Sequence, residues 1–282
     1  MDAADLIRPR QQFARVIGVE DEHLPLARAA LLIAREEYPG LDPATYERQL
    51  DDMSRSISKL VGPGSYADER LSAIDHELFV NRGFHGNDED YYDPRNSFLN
   101  EVLDRKTGIP ITISIIYLEL CWRHGLAAVG VGLPGHFVVG VEVEGREKIL
   151  IDPFERGERL DQEACVARVR RVYGNRATFH FSMLSPVSRR QTLFRVLNNL
   201  KNVYLRSGDY GRTYAAIDRM ILLNPRAATE IRDRAAVAHQ LGLYGQACSD
   251  YHLYLELVPQ ASDADDVRKA LASVVARRFG QN

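Results

Sequence analysis

An echo at a spacing of 34 residues, in the last third of the chain, narrows the possible folds more than any other feature. From about Val187 onward, Gly208 and Gly242, Tyr210 and Tyr244, Gly211 and Gly245, Leu223 and Leu257, and Pro225 and Pro259 match at that offset. A unit of this length holds one pair of antiparallel helices, which cannot bury its apolar face alone, so a chain carrying it must stack such pairs. The echo predicts two helical hairpins followed by a closing helix over residues 261–279.

The period is that of tetratricopeptide hairpins, in which a small residue lets two helices cross closely and a proline closes each unit. The pattern is degenerate: Leu197, Thr213 and Ile231 depart from the ideal, whereas Ala247 fits. On the first helix of each hairpin, Arg195, Asn198, Asn202, Arg206, Arg232 and His239 fall where the concave surface is expected. Such a basic, amide-rich groove suits an acidic or C-terminal carboxylate peptide of a protein partner. A merely solvated face, or one docked on the preceding domain, is the plain alternative.

Upstream, the pattern is helical. Residues 1–20 show no clear period and read as an N-terminal arm. Leu26, Ala29, Ala30 and Ile33 then form an i, i+3, i+4, i+7 stripe ending at Pro39-Gly40. Asp42 before Pro43 is an N-cap with proline at the first helical position, and Tyr46, Leu50, Met53, Ile57 and Leu60 continue one face. Ala67, Leu71, Ile74 and Leu78 mark a third helix. Residues 83–96 read as a long loop, with Tyr91 and Tyr92 expected over a cleft. From Pro110, the stripe Ile113, Ile116, Tyr117, Leu120 predicts a buried helix ending at Gly125.

Beyond that helix the period becomes two. Phe137, Val139, Val141 and Val143 alternate, and Ile149 and Ile151 recur after the Glu144-Gly145 turn signal, which predicts a hairpin. Pairing residues whose numbers sum to about 288 or 289 sets His136 beside Asp152 within one residue of register. An imidazole oriented by a carboxylate is the base half of a nucleophilic triad, although a single His–Asp pair on a hairpin is also a common structural hydrogen bond.

Composition excludes several classes. Basic and acidic residues, 36 and 39, nearly cancel, so no overall field draws the chain to nucleic acid or an anionic membrane. Cys121, Cys165 and Cys248 lie far apart, against a disulfide framework or a cysteine-rich zinc site, and a reducing, cytoplasmic setting is expected. The first residues lack the apolar core of a signal peptide, and the longest apolar stretch, near Ile111 to Trp122, is too short to span a bilayer. Zinc, phosphate-loop and dinucleotide motifs are absent, so no metal or cofactor is expected. Asp88, Asp90 and Asp93 lack the spacing of a calcium loop and read as a solvated loop.

Four motifs carry a resemblance: Tyr91-Tyr92-Asp93-Pro94-Arg95-Asn96-Ser97, Gly108-Ile109-Pro110-Ile111-Thr112, Leu133-Pro134-Gly135-His136-Phe137 and Ile151-Asp152-Pro153-Phe154. In this order they resemble the bacterial SirB-one family, which joins a transglutaminase-like domain to tetratricopeptide repeats, and in outline the same domain of a eukaryotic F-box protein. The resemblance implies an α+β, papain-like domain over 21–186, followed by an all-α repeat array over 187–282. In active transglutaminase-like proteins a cysteine stands about two residues after a glycine at the helix start; here that position is Pro110. Cys121 lies roughly 16 Å further along the helix, out of reach. Thr112 and Ser114 are the remaining hydroxyl candidates, though such side chains usually bond their own backbone. The expectation is therefore a non-catalytic interaction or regulatory protein. Its rival is a hydrolase or amine transferase using His136 and Asp152 with a hydroxyl or water nucleophile.

Overall fold

Where the sequence shows no period, the computed structural model, which describes residues 3–174 and 179–280, has a helix, α1 (Ala3–Val16). Pro9, Phe13 and Ile17 recur every fourth residue and are buried, so the described part of this segment is not a loose arm. Only three apolar positions in a polar, proline-containing stretch carry the stripe, which is why the pattern escapes notice. The helix packs on α2 (Leu26–Ala34).

The next helices follow the sequence closely. Asp42 accepts from the Ala44 amide at 3.1 Å and caps α3 (Pro43–Ser58), with Leu50, Met53 and Ile57 on its buried face. α4 (Ala67–Asp75) runs into a π-helical turn, His76–Asn81, that buries Leu78 and Phe79. The 83–96 segment is better ordered than a plain loop. Its strand β1 (His85–Gly86) pairs in parallel with β2 (Thr107–Gly108), on either side of a 3₁₀ turn at Pro94–Ser97 and α5 (Leu99–Arg105).

α6 (Pro110–Arg123) is the axis of the first unit; Pro110 through Cys121 are all buried. Burying a helix on every side requires an internal partner for each polar group it carries. Glu119 shows how this is met: its carboxylate accepts from the Ala27 amide at 2.9 Å, serving the first turn of α2, and pairs with Arg123.

The predicted hairpin belongs to a five-stranded antiparallel sheet, β3 (Ala127–Val131), β4 (Val138–Glu142), β5 (Ile149–Asp152), β6 (Glu158–Leu160) and β7 (Pro186–Val187), in the order β6-β5-β4-β3-β7. α6 packs against β3 and β4. Val131, Val138, Leu150 and Leu160 instead cluster with Cys165 and Val169 of α7 (Gln162–Tyr173). Both faces are thus covered, which accounts for burial of Val138 as well as Val139, where alternation had suggested one inward face.

The chain divides into two compact units, residues 1–196 and 197–282. The division lies within α8 (Arg189–Ser207), ten residues beyond the boundary expected from sequence. The first turns of α8 hold to the first unit: Asp21 accepts from the amides of Arg189 and Arg190 at 2.9 and 2.8 Å, and the Arg189 guanidinium lies 4.0 Å from the Trp122 ring.

In the second unit α8 is followed by α9 (Tyr210–Leu223), α10 (Ala228–Gln240), α11 (Tyr244–Leu257) and α12 (Ala264–Gly280). These are the two hairpins and closing helix that the 34-residue echo predicts. Gly208 and Gly242 occupy the turn of each hairpin with φ of +72° and +73°, so the repeat recurs in backbone conformation as well as in letters. A side chain at Gly211 or Gly245 would meet nothing closer than 3.7 Å, so close helix crossing is not what these glycines supply here. Alanines on the crossing face, Ala216, Ala235 and Ala247, are buried instead.

Candidate functional site

His136 does not begin a strand; it ends the turn that leads into β4. Its amide donates to the Leu133 carbonyl at 3.1 Å, and Gly135, at φ +70°, takes the left-handed conformation the turn requires. A Cβ at Gly135 would also lie 2.5 Å from Val172 of α7. The register differs from the expected one. Val139 faces Ile151 and Val141 faces Ile149, so continuing the ladder sets Asp152 opposite Val138, two residues beyond His136. The connection is a six-residue loop over 143–148: the Glu144-Gly145 turn forms, with the Arg146 amide donating to the Val143 carbonyl at 3.2 Å, but the ladder does not run up to it. The two side chains still meet, although His136 lies in the turn ahead of the strand. His136 Nε2 lies 2.8 Å from Asp152 Oδ2.

Asp152 is fully buried and fully bonded. Its Oδ2 is shared by His136 and by Arg168 Nε of α7 at 3.1 Å, while Oδ1 accepts from the Phe154 amide at 3.2 Å. Burial by itself would raise this carboxyl; His136 and the Arg168 guanidinium outweigh it and hold the group below the usual carboxylate range. Arg168 reaches outward to half-exposed Glu158. The Phe154 ring stands edge-on to the imidazole at 6.0 Å, and Gly86 is small because a Cβ there would lie 2.5 Å from that ring.

The start of α6 is brought near this pair because Gly86, which lies against the Phe154 ring, pairs with Gly108 two residues before Pro110, and on the second turn Ser114 Oγ donates to the carbonyl of Phe137 at 3.4 Å. Neither hydroxyl candidate faces the imidazole through a hydrogen bond. Thr112 is buried and donates to the Asn96 carbonyl at 2.7 Å; Ser114 is buried on the second turn. Ile109, Pro110 and Ile111 fill the tip with apolar groups. Cys121, Cys165 and Cys248 are buried and unpaired as thiols, and burial pushes Cys121 well above the ordinary thiol range.

The 87–98 segment is pinned by fully buried Asn96, which donates to the Asp90 carbonyl at 2.7 Å and accepts from Asn87 at 3.1 Å. Tyr91 and Tyr92 are exposed and edge-packed at 5.5 Å. Burial raises the Tyr91 phenol, and the charge of Arg195 opposes that rise.

Arg195 requires a correction. It is expected in the repeat groove, but it lies in the first unit, where its Nη2 donates to the carbonyls of Leu133 and His136 at 2.8 and 3.0 Å. Gly132 makes room for it: a Cβ there would collide with its Nη1. The other groove residues belong to the second unit. Asn202 and Arg206 are exposed and Asn198 is half-buried. Arg232 is not an open cation, since it pairs with Asp263 at 2.6 Å and Asp233 at 3.0 Å. Lys201 reaches Asp233 at 2.7 Å, and His239 packs on Tyr244 at 6.0 Å. Among the expected groove cations, Arg232 is therefore neutralised from within, by one acid distant in sequence and one a residue away.

Arg168, Phe154 and Asn96 are site residues that reasoning from sequence did not single out as such. For Arg168 a signal exists: it falls in the buried stripe Cys165, Arg168, Val169 of α7, and a cation in an apolar stripe demands a buried carboxylate partner.

With this geometry in place, comparison with known proteins is informative. Residues 44–198 match the transglutaminase-like superfamily and residues 200–272 match the tetratricopeptide repeat. Fold and site together thus define a transglutaminase-like protein with appended repeats. The chain belongs to the UPF0162 family: it is 37% identical over 265 residues to a member from Xylella fastidiosa, covering 93% of this chain and 94% of that protein. It is also 30% identical over 216 residues to a member from Pseudomonas aeruginosa, covering 77% and 78%. F-box only protein 21 of Mus musculus is 27% identical over 184 residues, covering 62% of this chain and 28% of that protein. No solved structure matches.

Proposed function

We propose that this protein is a non-catalytic interaction or regulatory protein in which the transglutaminase-like cleft and the repeats each present a surface to a protein or peptide partner. The observation that carries the reading is the helix tip beside His136. Pro110 stands where a thiol is needed, and the two nearby hydroxyls are buried donors to main-chain carbonyls. A nucleophile must be free to lose its proton to the base, and these are not. Repeat arrays of this kind offer extended concave surfaces, which fits a binding role. Buried, unpaired cysteines suit a cytoplasmic setting, which cell fractionation would check. Affinity capture with the wild type, His136→Ala and Asn198→Ala/Asn202→Ala tests the proposal: at least one variant should lose a specific partner, and undiminished recovery by both would remove its support.

A second reading is favoured by the 2.8 Å His136–Asp152 pair itself, which has the geometry of a base and its orienter. On this reading the protein hydrolyses amides or esters, or transfers amines, with a water or hydroxyl nucleophile. A broad amidase, esterase and amine-transfer screen that finds no turnover dependent on His136 sinks it.

A further inference from the structure

One oxygen of Asp152 is contested by two cations-in-waiting, and only one of them is always charged. Oδ2 receives His136 Nε2 at 2.8 Å and Arg168 Nε at 3.1 Å, in a place where the Asp152 side chain has no exposure and that of Arg168 is 10% exposed. A buried carboxylate with no countercharge is strongly unfavourable, and it either takes a proton or compels its neighbour to hold one. In a simple His–Asp dyad that neighbour is the imidazole.

We infer that Arg168 is a positioning residue of this site: it supplies the permanent countercharge to Asp152, so that His136 stays oriented by an ionised carboxylate while itself neutral. Nε2 then carries the proton donated to Oδ2, and Nδ1, which makes no hydrogen bond among the described residues, is left as a lone pair. The site presents an acceptor rather than an imidazolium. The surroundings agree. Around the pair, α7 contributes Arg168 and the buried Cys165 thiol, and β6 contributes Glu158, which Arg168 already engages. α8 contributes Arg195, on the His136 carbonyl, and the 87–98 segment contributes the Tyr91 phenol near it. α6 offers only the hydroxyls of Thr112 and Ser114. Asp152 is the one buried carboxylate hydrogen-bonded to the imidazole, and Arg168 lies on it with a geometry suited to a charge-assisted hydrogen bond.

The inference holds whether or not the site is catalytic, and nitrogen-15 NMR of the histidine-labelled full-length protein tests it, with His136→Gln identifying the resonances. At about pH 8, above the ordinary imidazole range, the wild type should show a neutral ring protonated at Nε2. Arg168→Met should convert that signal to the imidazolium pattern or to a tautomer mixture, and Arg168→Lys should restore it. An unchanged ring signal in a folded Arg168→Met protein would overturn the inference. So would an imidazolium signal in the wild type at that pH, an outcome that does not depend on any variant folding.

Discussion

At the scale of single residues, the clearest lesson is that one side chain's chemistry is set by partners far away in sequence. Asp152 depends on His136 and Arg168, 16 residues to either side. Because its carboxyl is held below the ordinary value, it contributes stability that is fully present above about pH 4. That contribution is lost as the pH falls through the lower native value. Asp152→Asn should therefore flatten the acid limb of a stability–pH profile measured by urea unfolding; an unchanged limb would show that other carboxylates dominate it. Glycines make a second residue-scale contrast. Gly208 and Gly242 need only a positive φ in open space, and alanine there should cost about 1–2 kcal/mol. Gly135 combines a positive φ with Val172 at 2.5 Å, so Gly135→Ala should cost clearly more, read as a larger drop in the midpoint of its own unit.

Elements are held by polar crosslinks that their own periodicity does not announce. In the repeats, Arg234 of α10 donates to Asp250 of α11 through Nε and Nη2, both at 2.8 Å, and to Asp218 of α9 at 2.7 Å. Asp250 is 3% exposed and Asp218 11%, so removing the cation takes the countercharge from two largely buried carboxylates, although Gln246 still donates to Asp250 at 2.9 Å. Arg234→Met should destabilise the second unit by about 3–5 kcal/mol. Arg212→Ala, breaking the exposed pair with Asp209, should cost under about 1 kcal/mol. Denaturant titration of both variants checks the ranking, and equal losses would contradict it. The same reasoning applies to Arg232: helix position places it on a first helix but gives no sign of Asp263, which pairs with it across 31 residues.

For the whole molecule, the course of α8 is decisive. Its first turns bond to Asp21, Ile17, Val19 and Leu24, near the start of the chain, and to the turn that carries His136. A fragment ending at residue 186 therefore loses part of its own first unit, whereas one ending at residue 207 keeps it. The longer fragment should melt cooperatively and the shorter one should be markedly less stable by circular dichroism; equal melting would place the boundary back at 186/187. That boundary was hard to read because α8 is one continuous helical pattern, and periodicity does not register which unit each turn serves.

What the sequence by itself determined is what depends on local spacing. The 34-residue echo, the capped helices and the alternating hairpin each follow from backbone geometry within a few turns or strands. The absence of a thiol at residue 110, and the candidacy of His136 and Asp152, belong to the same class. Tertiary structure alone decided the register of that hairpin, the third party at Asp152, the withdrawal of Thr112 and Ser114 into main-chain hydrogen bonds, and the place of Arg195. Each of these is a pairing between groups distant along the chain, and a buried polar group takes whichever partner the packed core brings to it.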